Sequence, residues 1–333
     1  MSATAVLGDG SWGTALAVHL ARADHDVRLW ARDAAFVSAL CSARVNERYL
    51  PAVPLPEQVR LTDSLDTAVT GAKFIVVAVP SHGVRAVVDR AAASMGPGTI
   101  VVSAAKGIEV DSLQRMSEVI AEASRHRCPV VVLSGPSFAA EVARGLPTAV
   151  LAASSNCEAA RAVQESFRGR GLRLYVNDDV AGVEIGGALK NVIAIAAGCV
   201  EGLGLGHNAL AALITRGLAE ISRLAMAEGG RRDTLSGLSG LGDLVLTCTG
   251  DLSRNRRVGI ELGRGRELDE ILAGLRMVAE GVNTTRAALA LGARHGIELP
   301  IAAQMQEVLD GRCSPLNAVE ALMLRRQRAE ADG

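Results

Sequence analysis

Aromatic side chains are scarce in this chain, at 2% of its 333 residues, and neither sign of charge is in excess. Lys and Arg together number 35 and Asp and Glu number 36, so the formal net charge is −1. A nucleic-acid surface needs a basic field or aromatic rings on which bases stack, and the sequence provides little of either. We therefore expect no nucleic-acid partner, and we expect any anion to be bound at a local site.

The cysteines form no recognisable framework, because the six of them are scattered without a C-x-x-C pair or a histidine at metal-binding spacing. We expect free thiols, with no disulfide network and no metal site. The first residues lack the basic stretch and cleavage site of a leader peptide. No uninterrupted apolar run reaches the ~18 residues that cross a bilayer. The expected class is a cytoplasmic protein without an integral membrane segment.

Short β-branched runs alternate with helical stretches in the first half of the chain, and several runs are continuously apolar. Repeated strand–helix–strand order predicts an α/β domain with a Rossmann-type doubly wound, mostly parallel sheet over residues 1–180. Beyond residue 180, glycine-broken helical patterns predict an all-α C-terminal domain over residues 181–333. The predicted strands are 4–8, 26–31, 73–80, 99–105, 129–135, 148–154 and 172–177.

A glycine-rich loop follows the first predicted strand in the stretch "TAVLGDGSWGTALAVHLA". Gly8 permits a tight turn, Gly10 lets a pyrophosphate approach the backbone, and Gly13 allows close helix–strand packing. The helix that follows presents free backbone N–H groups to phosphates. A plain glycine turn is the alternative, but the surrounding strand and helix favour a dinucleotide-binding domain over residues 1–180. Asp9 should turn toward solvent, because a carboxylate that faces a pyrophosphate would repel it.

The end of the second predicted strand, "LWARD", lacks the acid that would bind a ribose 2′-hydroxyl. Arg32 suits a 2′-phosphate instead, which favours NADP(H) over NAD(H) as the cofactor. NAD(H) remains an alternative, since Asp33 is near enough in sequence to reach a ribose. Arg32 is equally compatible with an ordinary surface charge.

Polar residues gather at positions where proteins commonly bind ligands. Some follow the fourth and fifth predicted strands, at the carboxyl ends where open α/β sheets bind their ligands. Others share a helical face at i, i+4 spacing or begin a helix, which is a suitable place for an anion. Taken singly, each fits a helix cap, a turn or a solvated surface charge better than a ligand contact. These residues are Lys106, Ser137, Asp243, Thr247, Ser253, Arg254 and Asn255.

Lys190 lies in the apolar run "EIGGALKNVIAIAAG", and its helical neighbours are small or apolar. Burial lowers the pKa of a lysine toward that of a general base for an alcohol, whereas a nearby carboxylate such as Asp243 raises it. A snorkelling structural lysine is the alternative. We predict that Lys190 exchanges the proton of an alcohol while a nicotinamide cofactor exchanges the hydride. Asn191 adds a hydrogen-bonding group beside it.

Several segments together resemble one family over nearly the whole chain. They include "GDGSWGTALA", "AAKGIE", "LSGPSFAAEV", "VEIGGALKNVIAIAAG" and "GLSGLGDLVLTCTGDLSRNRR". The chain resembles the bacterial-type NAD(P)-dependent glycerol-3-phosphate dehydrogenases. The resemblance implies reversible reduction of dihydroxyacetone phosphate to sn-glycerol 3-phosphate, a precursor of glycerophospholipids, by a cytoplasmic homodimer. Two departures touch the cofactor pocket, because the family usually has Ala at the position of Asp9 and often has His before Arg after the second strand.

The resemblance also implies roles for individual residues. Lys190 falls on the proton acceptor, with Asp243 and Lys106 as further catalytic candidates, and Arg254 falls on the residue that holds the phosphate and the cofactor. Beyond the loop glycines, the implied cofactor contacts are Ser11, Trp12, Arg32, Tyr49, Lys106, Ala139, Arg254, Val278 and Glu280. The residues expected around the substrate are Lys106, Gly135, Ser137, Lys190, Asn191, Asp243, Thr247, Ser253, Arg254 and Asn255.

Two other functions stay open at this point. One is a different β-hydroxyacid dehydrogenase that acts on a carboxylate, against which the cationic helix start "SRNRR" favours a phosphate. The other is a catalytically inactive dinucleotide sensor. Intact Lys190, Lys106, Asp243 and Arg254 argue against the sensor.

Overall fold

In the computed structural model the chain forms two compact units. The first unit consists of the chain up to Lys106 together with Met116–Val180. The second consists of Gly107–Arg115 together with the chain from Ala181 onward. The residues that the structure describes are 2–274, 278–326 and 329.

The first unit is built on an eight-stranded sheet beside a small hairpin. Its strands, within the described residues, are β1 (Ala3–Leu7), β2 (Asp26–Trp30), β3 (Val45–Asn46), β4 (Leu50–Pro54), β5 (Val59–Thr62), β6 (Phe74–Val77), β7 (Ile100–Ser103), β8 (Val130–Ser134), β9 (Thr148–Ala153) and β10 (Leu172–Asn177). The sheet has the order β10-β9-β8-β7-β6-β1-β2-β5, and β3 pairs with β4 in the hairpin. Because the order reverses at β1 and β6, the loops after these two strands lie at the topological switch point, where such sheets bind ligands.

The seven predicted strands are confirmed, each within a few residues of its expected bounds. The mostly parallel arrangement is confirmed as well, with one reversal: β9 runs antiparallel to β8, and β10 runs parallel to β9. Strand direction leaves no mark on a continuously apolar run, so the pattern could not reveal this reversal. Three further strands, β3, β4 and β5, were not predicted, because they are short and lie in a proline-containing stretch.

Helices cover both faces of the sheet, because successive side chains of a strand point in opposite directions. On β1, Val6 faces the core beneath the helices Ser11–Arg22 and Cys157–Phe167, whereas Ala5 and Leu7 face the core beneath the helices Val84–Ala91 and Met116–Ala123. This arrangement confirms the doubly wound fold. The α-helices of the first unit, within the described residues, are α1 (Ser11–Arg22), α2 (Ala34–Ala43), α3 (Leu65–Val69), α4 (Val84–Ala91), α5 (Met116–Ala123), α6 (Ala139–Arg144) and α7 (Cys157–Phe167).

Two buried histidines connect the first strand and helix with the end of α7. The Nδ1 atom of His25 lies 2.7 Å from the Thr4 hydroxyl, and its Nε2 lies 2.9 Å from the carbonyl oxygen of Ser166. The Nε2 atom of His19 lies 2.7 Å from the carbonyl oxygen of Phe167. Burial lowers the pKa of both rings below the ordinary value for histidine. The folded protein therefore favours their neutral forms.

We expect acid to destabilise the protein through these rings. A folded-state pKa below the unfolded value of about 6.5 gives stability that is complete above about pH 6.5 and is lost as the pH falls below it. Each ring contributes at most about 1.4 kcal/mol per pH unit, the limit for one proton. Thermal unfolding between pH 7.5 and 5 measures this loss. His25→Gln keeps an N–H near the position of Nε2 without a titrating ring, so its melting temperature should fall less over this range. Equal losses in both proteins would contradict the assignment.

The second unit is helical throughout its described residues apart from the short segment Gly107–Arg115. Its helices are α8 (Val180–Gly202), α9 (Gly206–Ala227), α10 (Arg232–Leu235), a π-helical segment (Leu238–Gly242), α11 (Asp243–Thr249), α12 (Arg254–Gly263), α13 (Leu268–Ala273), α14 (Glu280–His295), α15 (Pro300–Leu309) and α16 (Pro315–Met323). By length and composition α8 is long and apolar enough to cross a membrane, although Glu184 and Lys190 interrupt its apolar run. The apolar stretch is entirely buried, so α8 is the core helix of this unit.

Glycines allow α8 and α12 to cross at backbone distance. A Cβ atom on Gly198 would lie 2.0 Å from the carbonyl oxygen of Arg256, and one on Gly259 would lie 1.9 Å from that of Ile195. No side chain fits at either position, because real Cβ contacts are never this short. The crossing brings the start of α12, with its cationic residues, close to the helix that carries Lys190.

The segment Gly107–Arg115 is a small hairpin that packs on α8. Ile108 pairs with Arg115 across the hairpin and is buried in the core of the second unit. The Arg115 guanidinium forms an ion pair of 3.2 Å with Glu184, and both side chains are largely buried. No periodic pattern in the sequence indicates that these nine residues belong to the second unit.

Candidate functional site

The three loop glycines of the first unit occupy three different environments. Gly8 has a φ of +121°, and a Cβ there would lie 2.8 Å from the carbonyl carbon of Ala78. A Cβ on Gly13 would lie 1.9 Å from the carbonyl oxygen of Gly8, so only glycine permits α1 to approach the strand this closely. Gly10 has no atom within 4 Å of its Cβ position. Open space at Gly10, at the N-terminus of α1, fits the close approach of a pyrophosphate.

Asn46 is fully buried and fastens this loop to the neighbouring hairpin. Its Nδ2 donates to the carbonyl oxygen of Asp9 and to the Thr14 hydroxyl, each at 2.8 Å. Its Oδ1 accepts the backbone N–H of Tyr49 at 3.0 Å. The Thr14 hydroxyl also donates to the Asp9 carbonyl, at 3.0 Å. The position of Tyr49 is therefore tied to the loop through one side chain, which the sequence analysis did not identify.

Of the charged residues near the loop, Asp9 differs from expectation in its exposure, whereas Arg32 does not. Asp9 is half-buried rather than turned fully to solvent, because its backbone is held by Thr14 and Asn46. Burial raises the pKa of Asp9, while the guanidinium groups of Arg48 and then Arg32 act in the opposite direction. Arg32 is exposed at the end of β2, as expected.

Asp33 serves as the N-cap of α2. Its Oδ1 accepts the backbone N–H groups of Ala35 at 3.0 Å and Phe36 at 3.2 Å. This carboxylate oxygen is therefore engaged by the helix start, and Asp33 is poorly disposed to replace the missing ribose-binding acid.

The remaining cofactor candidates of the first unit lie around α1. Tyr49 is half-buried and packs edge-to-face against Phe36, with ring centroids 5.9 Å apart. Trp12 and Ala139 both pack against one small apolar cluster that includes residues of α1. Ser11 is the first residue of α1.

Lys106, Gly135 and Ser137 come together at the carboxyl ends of β7 and β8. The ammonium of Lys106 donates to the carbonyl oxygen of Gly135 at 3.2 Å, and the Ser137 hydroxyl donates to the same oxygen at 3.0 Å. Gly135 has a φ of +135°, and a Cβ there would lie 3.1 Å from the Cα of Val150. The sheet therefore needs glycine at this position. Three residues that are separated in sequence thus form one polar cluster.

Lys190 forms the centre of a second polar cluster, inside the second unit. Its ammonium donates to the Asp243 carboxylate at 2.5 Å and to the Thr247 hydroxyl at 2.9 Å. The Thr247 hydroxyl in turn donates to the Asp243 carbonyl at 2.6 Å, so its lone pair is directed at the lysine. Lys190 is 7% exposed and Asp243 is 1% exposed. A buried carboxylate at this distance stabilises the charged ammonium, and the geometry is that of an oriented proton donor.

A small residue near Lys190 allows the backbone of another segment to pack closely against α8. A Cβ on Gly186, one turn before Lys190, would lie 3.0 Å from the carbonyl oxygen of Ser239 in the π-helical segment. That segment runs directly into α11, which begins at Asp243. Gly186 thus lets the π-helical segment approach α8 closely enough for Asp243 to reach the lysine. π-Helical turns often occur at functional sites.

Asn191 joins the lysine helix to the beginnings of two other helices. The backbone N–H of Gly281 donates to Asn255 Oδ1 at 3.1 Å, and Asn255 Nδ2 donates to Asn191 Oδ1 at 2.9 Å. Because the Gly281 N–H can only donate, it defines the orientation of both side-chain amides. The Asn191 amide nitrogen is therefore on the opposite side of the amide from the Asn255 contact, on the residue that follows Lys190.

The start of α12 carries the other polar candidates. Ser253 is the N-cap, and its hydroxyl accepts the backbone N–H of Arg256 at 3.2 Å. Arg254 is exposed, and its Nη1 donates to the carbonyl oxygen of Val278 at 3.2 Å. Val278 is exposed just before α14, whose first residue is the half-buried Glu280. Arg254, Val278 and Glu280, which sequence reasoning assigned to the cofactor, are thus neighbours in the second unit.

The structure also contains polar groups that sequence reasoning missed. Asn46 and Thr14 hold the glycine loop, and Arg48 lies against Tyr49. Arg115 and Glu184 form the ion pair of the hairpin. Asn46, Thr14 and Glu184 are buried, and a buried polar residue has no periodic signature in a single sequence. Arg48 is exposed, and its contact with the ring of Tyr49 depends on the folded backbone.

Comparison with known proteins shows which family this chain matches. Residues 3–160 match the family described as "NAD-dependent glycerol-3-phosphate dehydrogenase N-terminus", and residues 179–320 match its C-terminus. A relative from Acidobacterium capsulatum, named glycerol-3-phosphate dehydrogenase [NAD(P)+], is 53% identical over 99% of this chain and 100% of its own length. A relative of the same name from Koribacter versatilis is 52% identical over 99% of both chains.

A crystal structure agrees with these matches. The glycerol-3-phosphate dehydrogenase of Coxiella burnetii is 42% identical to this chain and superposes with a TM-score of 0.93, covering 97% of this chain and 98% of its own. The fold class and the family resemblance read from the sequence are both confirmed. This chain belongs to the family of NAD-dependent glycerol-3-phosphate dehydrogenases.

Proposed function

We propose that this protein catalyses the reversible NAD(P)H-dependent reduction of dihydroxyacetone phosphate to sn-glycerol 3-phosphate. The observation that carries the proposal is the buried cluster of Lys190, Asp243 and Thr247, in which a single ammonium is oriented by a carboxylate and a hydroxyl. The names of relatives at 53% and 52% identity support the same activity.

Lys190 acts as the proton donor in the reducing direction. When bound, the nicotinamide cofactor supplies the hydride to the carbonyl carbon. The ammonium stabilises the negative charge that grows on the carbonyl oxygen and then transfers its proton to that oxygen. In the oxidising direction the neutral amine takes the hydroxyl proton. Asp243 holds the lysine in place and favours its charged form, and Thr247 restricts the direction of its N–H bonds.

Asn191 orients the reacting end of the substrate. Its amide oxygen accepts from Asn255, which leaves the amide nitrogen as a neutral donor on the residue that follows Lys190. A donor in this position suits a carbonyl or hydroxyl oxygen of the substrate. Gly281 maintains this orientation, because a Cβ there would lie 2.9 Å from Asn255 Oδ1.

The start of α12 binds the substrate phosphate. A helix N-terminus attracts anions, and Ser253, Arg254 and Asn255 surround this one. The Asn255–Asn191 hydrogen bond ties this helix start to the residue that follows Lys190. Lys106, Gly135 and Ser137 are further substrate contacts in this proposal. A phosphate rather than a carboxylate is favoured because a guanidinium and a helix start together match its charge and its several acceptors.

The residues of the first unit fit a dinucleotide. Gly10 leaves open space at a helix N-terminus, which a pyrophosphate can occupy. Ser11, Trp12 and Tyr49 belong to elements that adjoin this loop, and Arg32 follows β2. We assign residues 1–180 to cofactor binding and residues 181–333 to substrate binding and catalysis, with Ala139, Arg254, Val278 and Glu280 as additional cofactor contacts.

The wider role of the enzyme follows from its product. A three-carbon phosphate with two free hydroxyls is the backbone to which acyl chains are attached in glycerophospholipids. We propose that the protein supplies this precursor as a cytoplasmic homodimer, as the family resemblance implies.

A substrate panel tests the activity directly. We expect kcat/KM for dihydroxyacetone phosphate to exceed that for dihydroxyacetone by at least about 10³-fold, because a bound phosphate contributes several charge-assisted hydrogen bonds. Short β-keto acids should turn over no faster than dihydroxyacetone. The measurement is the oxidation of NADPH and NADH at matched enzyme concentrations. Preference for a keto acid would instead assign the protein to carboxylate substrates.

A pair of arginine variants serves as the control for this panel. With NADPH held at saturating concentration, because Arg254 is also a proposed cofactor contact, Arg254→Met should raise KM for dihydroxyacetone phosphate and leave the slow turnover of dihydroxyacetone nearly unchanged. Arg257→Met removes an exposed arginine one turn further along α12, so it should affect neither substrate. Equal effects of the two variants would mean that the helix start does not bind the phosphate.

A further inference from the structure

Arg48 is placed beside the dinucleotide loop by a short chain of contacts. Asn46 bonds to the Asp9 carbonyl at 2.8 Å and to the Tyr49 backbone N–H at 3.0 Å, so the residues between Asn46 and Tyr49 adjoin the loop. Arg48 is exposed and lies in this stretch. It is absent from the residues that the family resemblance implies.

Two aromatic rings hold the Arg48 guanidinium. Its central carbon lies 5.3 Å from the Tyr49 ring centroid and 5.7 Å from that of Phe36. Both distances are within the range of cation–π attraction. In a chain with 2% aromatic residues, two rings against one exposed arginine form a distinctive arrangement. A guanidinium held in this way loses less freedom when it binds a phosphate.

Phe36 also relates Arg48 to Arg32. Phe36 is in the first turn of α2, directly after Asp33, and Arg32 precedes that cap. The Asp9 carboxyl is within electrostatic reach of both guanidinium groups, which act in the same direction on its pKa. Two cations therefore flank the end of β2, where a dinucleotide fold distinguishes a ribose 2′-hydroxyl from a 2′-phosphate.

The Asp33 carboxylate, which could otherwise bind a free ribose, is engaged by the start of α2. Asp33 Oδ1 accepts two backbone N–H groups of α2, at 3.0 and 3.2 Å. Two guanidinium groups without a ribose-binding acid match a dianionic phosphate better than a neutral diol.

We infer that Arg48 and Arg32 together bind the 2′-phosphate of NADP(H), and that Arg48 is a specificity-determining residue of this protein. The inference rests on the proposed function, since it requires a dinucleotide at the Gly8–Gly13 loop. Phe36 and Tyr49 form the platform that keeps the guanidinium plane directed at the phosphate.

Binding of cofactor fragments tests Arg48 without relying on turnover. Titration calorimetry with 2′,5′-ADP and with 5′-ADP compares ligands that differ in the 2′-phosphate. Arg48→Met should weaken 2′,5′-ADP and NADPH about 10- to 100-fold, the range of one or two charge-assisted hydrogen bonds, and change 5′-ADP and NADH less than about threefold. Arg48→Lys keeps the charge and loses the planar contact with the rings, so its effect should be intermediate. Arg32→Ala should resemble Arg48→Met.

A matched control uses Arg90, an exposed arginine near the end of α4, and Arg90→Met should leave all four affinities unchanged. Melting temperatures verify folding, which replacement of an exposed side chain should preserve. The inference is overturned if Arg48→Met leaves NADPH binding intact or weakens NADPH and NADH equally. It is also overturned if the unaltered protein prefers NADH. A protein that binds neither cofactor would contradict the proposed function itself.

Discussion

Replacing Lys190 by methionine is expected to lower kcat by about three to five orders of magnitude while NADPH still binds. Loss of a positioned proton donor removes a factor of about 10²–10⁴, and loss of the charge that stabilises the developing alkoxide removes about 10²–10³ more, with partial overlap. Methionine nearly matches the length of lysine, so the position on α8 stays filled. Single-turnover reduction of dihydroxyacetone phosphate measures the chemical step, and NADPH fluorescence measures the affinity.

Asp243, the buried partner of the lysine, allows a loss of folding to be distinguished from a loss of catalysis. Lys190→Met leaves the Asp243 carboxylate buried without its cation, which should destabilise the fold by about 3–5 kcal/mol. The double variant Lys190→Met/Asp243→Asn removes both charges, so it should regain most of the lost melting temperature. If the lysine is the proton donor, turnover stays lost in the refolded double variant. Recovered turnover would assign the original defect to folding, and a Lys190→Met enzyme within tenfold of normal would exclude the lysine as proton donor.

Much of the first unit was predictable because several of its strands are buried on both faces. A run such as "FIVVAV" has the same appearance in any parallel sheet, and short β-branched runs gave the positions of seven strands. The glycine loop was predictable for a related reason. Turn, ligand approach and helix packing each require glycine at a particular spacing, and Gly8, Gly10 and Gly13 have three different environments that match those needs.

Other features left no trace in the pattern. The reversal of β9, the assignment of Gly107–Arg115 to the second unit and the bonds of Asn46 all depend on contacts distant in sequence. Glu220 is a similar case, since its buried carboxylate accepts the N–H groups of Ile301 and Ala302 at the start of α15. Such polar groups stand out only when burial is known.

The Lys190 cluster falls between these two cases. An isolated cation in an apolar helix indicated an unusual lysine, and the i, i+4 spacing of Asp243 and Thr247 indicated a shared face. Their meeting with the lysine required the π-helical segment and the glycine at position 186, which bring α11 against α8. The residue types thus indicated a proton-transfer site. The positions of its side chains depend on how closely the backbones of α8 and α11 approach each other.

The second and third glycines of the loop, Gly10 and Gly13, should differ strongly in how far the same substitution destabilises the protein. Gly13→Val places a side chain where a Cβ would already be 1.9 Å from the Gly8 carbonyl oxygen, so we expect a loss of more than about 3 kcal/mol or failure to fold. Gly10→Val enters open space, and the backbone there, at φ −62° and ψ 174°, suits any residue. Its melting temperature should fall by no more than about 4 °C, mostly from the poorer N-cap.

The Gly10→Val variant should fold but lose its affinity for the cofactor. The valine at position 10 would occupy the space that a pyrophosphate needs, so the Gly10→Val protein should bind NADPH and NADH at least about 100-fold more weakly, losing several phosphate–backbone hydrogen bonds. Gly96→Val is the control, because a Cβ at this other glycine of the first unit would meet only the Thr99 hydroxyl oxygen, at an ordinary contact distance of 4.0 Å, so the variant should retain both stability and affinity. A Gly10→Val protein that binds both cofactors normally would show that the pyrophosphate does not approach this loop. If it unfolded like Gly13→Val, position 10 would be a packing site, and the open space beside it would have no role in binding.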